Sequence, residues 1–445
     1  MDAELLARIQ FALTIGFHYI FPPLTIGMAW VIVVMQTIYL KTGQSLYDRM
    51  SKFWIKLFAI SFVVGVASGI VMEFQFGTNW SEYSRFVGDI FGAPLAAEGI
   101  FAFFLESAFI GVLIWGADRV SKRFYWFSSL MVALGSTLSA FWIIVANSWM
   151  QTPAGYQIIN GRAELTDFWA AVFNPSTVPR YLHTVDGALI TGAFFVMGVS
   201  AFLLLKKKHL DVAKKSLKIA LVVALLATTM QGALGHYHAV QVANTQPAKL
   251  AAFEGLFETE QGAPLLVFGI PDSKQEKVHF AVGVPKLLSW IAFGDFNAEV
   301  KGLNEFPKDE WPPIGISFTI FHLMVALGGL FILVSGLGLL LLYRGQLFDN
   351  RLYLKVLMYT IPLPIIANEL GWIAAEVGRQ PWIVYRLMKT VDGVSITVPP
   401  VQILISIVMF CLIYSVLFAA WIYLLKKKIL DGPPTVAPLD KEVGA

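Results

Sequence analysis

A carboxylate and a guanidinium close a long apolar run at Gly371-Trp372-Ile373-Ala374-Ala375-Glu376-Val377-Gly378-Arg379-Gln380-Pro381-Trp382. Glu376 and Arg379 stand three residues apart, on one face of a helix. Such charges at a membrane boundary cost free energy unless something uses them. Other apolar stretches are interrupted by His18, His183 and Met324, and by Glu98, Glu106 and Asn147. Histidine and methionine are usual axial ligands of an electron-transfer haem, and two of them saturate the iron; a single His or Glu ligand leaves a position open for O2. Glu98 and Glu106, eight residues apart, fall within about a quarter-turn of each other, which suits a proton path along one helix face. Each residue also has a plainer reading. A lone intramembrane histidine can be a hydrogen-bonded packing residue, a lone methionine is commonly core filling, and Glu376 with Arg379 can be a structural ion pair. The two glutamates are harder to dismiss, because acids in lipid are costly.

The elements that must position these residues are membrane helices. The chain has 445 residues, of which 57% are hydrophobic and 14% charged, with a mean hydropathy of +0.66; a soluble domain carries about 25% charged residues. An all-α polytopic bundle is expected, with about nine spans of the roughly 20 apolar residues that cross a bilayer: 9–40, 53–76, 93–116, 125–150, 181–205, 217–240, 313–343, 355–376 and 398–425. The net charge of +3 and the absence of basic runs interleaved with aromatics argue against nucleic-acid binding. The single cysteine, Cys411, excludes an intramolecular disulfide and a cysteine-held iron–sulfur or metal site. The first apolar run is too long for a cleavable signal peptide.

Alternate connections are basic: Lys41, Arg49 and Lys52; Arg119, Lys122 and Arg123; Lys206, Lys207, Lys208, Lys214 and Lys215; Arg344 and Arg351; Lys426, Lys427 and Lys428. The positive-inside rule then places the N-terminus outside and the C-terminus in the cytoplasm. The expected division is helices 1–6 in 1–240, an extracytoplasmic loop in 241–312, helices 7–9 in 313–428 and a cytoplasmic tail in 429–445. The long loop, rich in proline, carries Phe253, Leu256, Phe257, Leu265, Leu266, Val267 and Phe268, which should pack it onto the outer surface. In this topology His18, His183, Met324, Glu376, Arg379 and Asn147 gather in the outer half of the bundle, with Glu98 nearer the outside than Glu106.

Several motifs resemble subunit I of the cytochrome bd-type quinol oxidases over nearly the whole chain. They are the first-helix stretch from Arg8 to Gly27, Phe76-Gly77-Thr78-Asn79-Trp80, Phe91-Gly92-Ala93-Pro94-Leu95, Phe103-Phe104-Leu105-Glu106-Ser107, Ala146-Asn147-Ser148-Trp149-Met150-Gln151, Arg180-Tyr181-Leu182-His183-Thr184 and, most specific, 371–382. The resemblance implies that His183 and Met324 hold a low-spin haem b. It implies that His18 and Glu376 hold two high-spin haems, a second haem b and haem d (or haem b in its place), without saying which holds which. Arg379 and Trp372 match residues beside these haems, and Glu98, Glu106 and Asn147 match residues of proton delivery. Lys249 and Glu254 match the quinol-oxidation loop, Glu254 as proton acceptor and Lys249 as orienting donor. The implied partners are quinol, O2, a second large membrane subunit and a small single-span one as a further candidate, in a bacterial cytoplasmic membrane. Two departures stand out: His322 occupies a position that is often arginine, and the loop is of a short form.

The expected function is electrogenic quinol:O2 oxidoreduction, with protons released outside, taken up from the cytoplasm and not pumped. A secondary transporter is the rival from another class, supported by the intramembrane acids and by Phe21-Pro22-Pro23 and Ile361-Pro362-Leu363-Pro364. No matching pair of broken helices in two halves supports it further. A non-enzymatic haem-binding or assembly subunit is the third reading.

Overall fold

The structure, a computed structural model, describes residues 2–433, so most of the tail expected at 429–445 lies outside them. Among the described residues nine segments are long and apolar enough to cross a membrane: Ala3–Thr42, Ser45–Thr78, Ser81–Trp115, Lys122–Gln151, Thr177–Leu205, Leu210–Thr245, Ile314–Tyr343, Arg351–Val377 and Pro400–Asp431. They form the expected all-α bundle and are called the first to ninth spans. Three are interrupted, each at a proline. The first breaks into Ala3–His18 and Phe21–Thr42, with prolines in the first turn of the second piece, where a missing N–H costs nothing. The eighth breaks into Arg351–Tyr359 and Leu363–Val377 ahead of a first-turn proline. The third carries Pro94 inside its helix and continues as a wider π turn over Glu98–Phe103; Pro94 withdraws one backbone donor, and such bulges recur where side chains are re-aimed.

The fifth span is the core of the bundle, buried almost throughout from Asp186 to Leu204. Gly27 of the first span and Gly192 of the fifth face each other so closely that a Cβ on either would meet the other's backbone, the close approach that small residues permit between membrane helices. Buried polar groups are paired across helices, as Trp54 Nε1 with Ser216 Oγ at 2.9 Å and Gln36 Nε2 with Ser51 Oγ at 2.6 Å; in lipid an unpaired donor has no water to turn to.

The two ends of the bundle differ. At one end the connections are short and basic, and they are tied by Arg49 to Asp211 at 2.7 Å and Lys52 to Asp118 at 3.1 Å. At the other end, among the described residues, lie four two-stranded sheets and a short helix, Pro247–Glu254. The connections at this end interlock: Tyr385 N donates to Met150 O at 2.9 Å and Ser395 N to Asn79 O at 2.9 Å. The long loop packs only in part as expected. Phe253 and Phe257 are buried, but Val267 and Phe268 in the hairpin of Leu265–Asp272 with Lys277–Val284 are 64% and 56% exposed.

Candidate functional site

Glu376 lies in the last turn of helix Leu363–Val377, at the end of the bundle that carries the sheets. Arg379 donates Nη2 to its Oε2, and Asn147 Nδ2 donates to its Oε1 at 2.9 Å. Arg180 in turn donates Nη1 to the Asn147 carbonyl at 3.1 Å and Nη2 to the Asn147 side-chain oxygen. A carboxylate out of water is tolerated only when paired and hydrogen-bonded; here the Arg379 guanidinium and the Asn147 amide bond it, and Arg180 holds that amide. Arg379 is 3% exposed and donates Nε to Trp382 O at 3.1 Å. Its Nη1 is buried without a partner among the described residues, so the fork retains a donor for another anion. Trp372, one helical turn before Glu376, has its ring 6.3 Å from that of Phe11.

Helix Pro247–Glu254 is docked against the same cluster. Lys249 Nζ donates to Gln151 Oε1 at 2.5 Å and Gln246 Oε1 at 2.7 Å, and Gln151 Nε2 donates to Ala375 O at 3.3 Å. A Cβ on Gly378 would stand 2.9 Å from Phe253 Cε1 and 3.1 Å from Lys249 Cγ, so the glycine is what lets this helix approach the Glu376 turn. Glu254 is buried, with Oε2 unpartnered among the described residues. Burial pushes its carboxyl up to about 8. Burial lowers the Lys249 ammonium well below its usual range, and the positive charges of Arg379 and Arg180 add to that. Burial thus disfavours the charged form of both groups, the kind of perturbation common at sites that handle protons.

His183, on the fifth span, has Nε2 3.3 Å from Gln231 Nε2, and its Nδ1 is buried without a partner among the described residues. Glycines stand at three of the expected ligands: a Cβ on Gly235 would lie 3.6 Å from the His183 ring, one on Gly371 3.0 Å from Met324 Sδ, and one on Gly69 3.1 Å from the His18 ring. His18 Nδ1 is 3.0 Å from Ser68 Oγ. Glu98 and Glu106 both hang on the fourth span, through Ser139 Oγ at 2.7 Å and through Ser136 Oγ. Asn147 is on that span too, eleven residues beyond Ser136, about 17 Å along the axis and nearly on the same face. The fourth span thus carries partners of three acids: Glu106, Glu98 and Glu376.

The sequence profile of the family described as cytochrome bd terminal oxidase subunit I matches residues 6–433. The chain belongs to that family. It is 43% identical to the cytochrome bd ubiquinol oxidase subunit 1 of Bacillus subtilis (strain 168), over 100% of this chain and 99% of the relative. It is 37% identical to the cytochrome bd-II ubiquinol oxidase subunit 1 of Escherichia coli (strain K12), over 96% of each. Among solved structures, the bd oxidase from Geobacillus thermodenitrificans superposes with a TM-score of 0.92 at 31% identity, over 97% of this chain and 99% of that one. A bd-type terminal oxidase subunit is a haem-bearing, multi-pass membrane oxidoreductase.

The residues present fit haem. Among the described residues no three of His, Cys, Asp and Glu converge on one point, and haem iron needs only one or two protein ligands. An orphaned imidazole nitrogen, glycines against the ring and sulfur ligands and an unpaired guanidinium donor are the features that a flat anionic macrocycle would use. Four residues at the site drew no role from the sequence: Arg180, Gln151, Gln246 and His238, whose ring lies 5.5 Å from that of His183. Arg180 sits inside a motif, three residues before His183, and an arginine next to a buried ligand was the available signal. His322 takes no part in this network; its Nδ1 and Nε2 meet Phe318 O at 2.8 Å and Leu266 O at 2.9 Å.

Proposed function

We propose that this subunit oxidises membrane quinol and reduces O2 to water in the cytoplasmic membrane of a bacterium, building proton motive force by taking up and releasing protons on opposite sides without a pump. The basic connections favour the cytoplasm for their end and the outside for the Glu376 end. Residues 241–312 are the extracytoplasmic quinol loop between helices 1–6 in 1–240 and helices 7–9 in 313–428. A second large membrane subunit completes the enzyme, with a small single-span one as a further candidate.

His183 and Met324 would hold a low-spin haem b, and His18 and Glu376 the two high-spin haems, b and d or b and b. Bound there, they supply one-electron transfer and an open iron position for O2. The remaining steps belong to the chain. Glu254 takes a proton from the quinol hydroxyl and Lys249 orients that hydroxyl, both at the outer end, so quinol protons leave outside. Arg379 pairs with Glu376 and offers its remaining Nη1 to a haem propionate, while Arg180 fixes the Asn147 amide on that carboxylate. Glu106 and Glu98, held by Ser136 and Ser139 along the fourth span, carry protons from the cytoplasmic side toward Asn147 and Glu376.

The observation that carries this reading is the contact of Lys249 with Gln151, and of Gln151 with the Glu376 helix. It leaves Lys249 one side chain away from the helix that carries Glu376, which supports a short path from quinol to haem. The test is O2 uptake by the purified complex in vesicles with a quinol donor. Uptake with acidification of the face bearing the loop supports the reading; haem-bearing complex that consumes no O2 with any quinol favours an assembly role.

A further inference from the structure

The hairpin Leu265–Asp272 with Lys277–Val284 has an outer face unlike that of a water-exposed loop. Phe280, Val267, Val282, Phe268 and Ile270 are 78%, 64%, 61%, 56% and 53% exposed. Residues 265–271 carry no ionisable side chain, and 278–284 carry only His279, which stands 3.6 Å from Asp272. Phe280 keeps its ring at a φ of 54°, a conformation in which glycine or asparagine is the usual residue. An apolar sheet face of this kind in water is an aggregation surface, so something covers it.

The depth of the hairpin says what covers it. The Leu266 carbonyl lies 2.9 Å from His322 Nε2. His322 is eight residues past Ile314, where the seventh span begins, or about 12 Å along its axis. That span has 30 residues and runs about 45 Å, against a hydrocarbon core of about 30 Å, which leaves about 7 Å beyond the core at each end. The base of the hairpin therefore reaches about 5 Å below the hydrocarbon boundary. At that depth the outward carbonyl of an edge strand has no water to bond, and His322 supplies the partner. The tip points the other way: it holds Lys274, Glu276 and Lys277, and Lys308, six residues before the seventh span, donates to Glu276 Oε1. Polarity along the hairpin thus follows the membrane normal. Val325 on the seventh span, on the same side as Phe318 and His322, and Trp290, Phe293 and Phe296 are exposed as well. The helix Leu287–Phe293 packs on Val242 and Ala243 near the end of the sixth span, the level at which aromatic belts form.

We propose that this hairpin, with helix Leu287–Phe293, is set into the lipid leaflet at the Glu376 end of the bundle, its apolar face against acyl chains and its charged tip in water. His322 is the anchor that satisfies its edge. The claim does not depend on what Lys249 and Glu254 do.

The test uses the complete oxidase complex in bilayer nanodiscs of defined phospholipid. Phe280 and, separately, Val282 are replaced by photoreactive p-benzoylphenylalanine, and the irradiated hairpin peptides are read by mass spectrometry. In parallel, Val282→Cys and Lys274→Cys are made in a Cys411→Ser background and labelled with a membrane-impermeant maleimide; unchanged haem content and elution volume of the complex report assembly. Phospholipid adducts at 280 and 282, with labelling at 282 at least tenfold slower than at 274, are the expected result. Cross-linking of either position to a second polypeptide would assign the face to a partner subunit and overturn the proposal. Equal labelling rates at 282 and 274 would place the hairpin in water and overturn it as well.

Discussion

Glu254→Gln keeps the shape of the side chain and removes its ability to take a proton. General-base catalysis contributes about 10²–10⁴-fold, so quinol oxidation should fall by that factor, equivalent to about 2.7–5.5 kcal/mol of activation free energy. The pH profile is the sharper readout. The base must be ionised to act, and burial holds the Glu254 carboxyl at about 8. Between pH 7 and pH 9 its ionised fraction rises from about one tenth to about nine tenths, so the base-limited rate should climb about tenfold over that window. The variant should lose that rising limb. Both forms are assayed for O2 uptake with a quinol and, in parallel, with an artificial donor that reduces the haems directly. The variant should retain most of its activity with the artificial donor. A rising limb that survives in Glu254→Gln, or equal losses with both donors, would refute the assignment of the proton acceptor.

Three further outcomes are expected. Met324→Ala should turn the low-spin haem high-spin, read from the reduced-state visible spectrum, while the complex stays assembled; an unchanged spectrum removes Met324 as a ligand. Glu106→Gln should slow O2 reduction by at least tenfold without loss of haem, because its proton cannot leave, and full turnover at saturating quinol would take it out of the proton path. Gly378→Val should raise the KM for quinol with little change in haem content. A Cβ at 378 would already stand 2.9 Å from Phe253, so the added methyls must push helix Pro247–Glu254 off the Glu376 turn; an unchanged KM would show that this packing does not matter.

The spans were legible in the sequence because lipid demands unbroken apolar runs, and the prolines at 22, 23 and 362 mark interruptions that the structure contains. The π turn at Glu98–Phe103 was not, since a one-residue change of helical phase leaves no trace in hydropathy. It alters the expected relation of Glu98 to Glu106: they are related by a shared neighbour, the fourth span with Ser139 and Ser136, and not by an ideal helix face. The clustering of Glu376, Arg379 and Asn147 was anticipated from depth along the helices. The links that make it one site, Arg180 to Asn147 and Lys249 to Gln151, join residues 33 and 98 positions apart, and polar residues at span ends read equally well as interface groups. Val267 and Phe268 went the other way, because composition reports that a residue is apolar and not whether protein or lipid covers it.

The measurement that bears most directly on the function is a dithionite-reduced minus air-oxidised spectrum of the purified complex, with extraction and identification of its haems. Haem b in both low-spin and high-spin form, accompanied by either a red-shifted chlorin band or a further haem b, is the expected result. An intact, correctly assembled complex with no haem would contradict it.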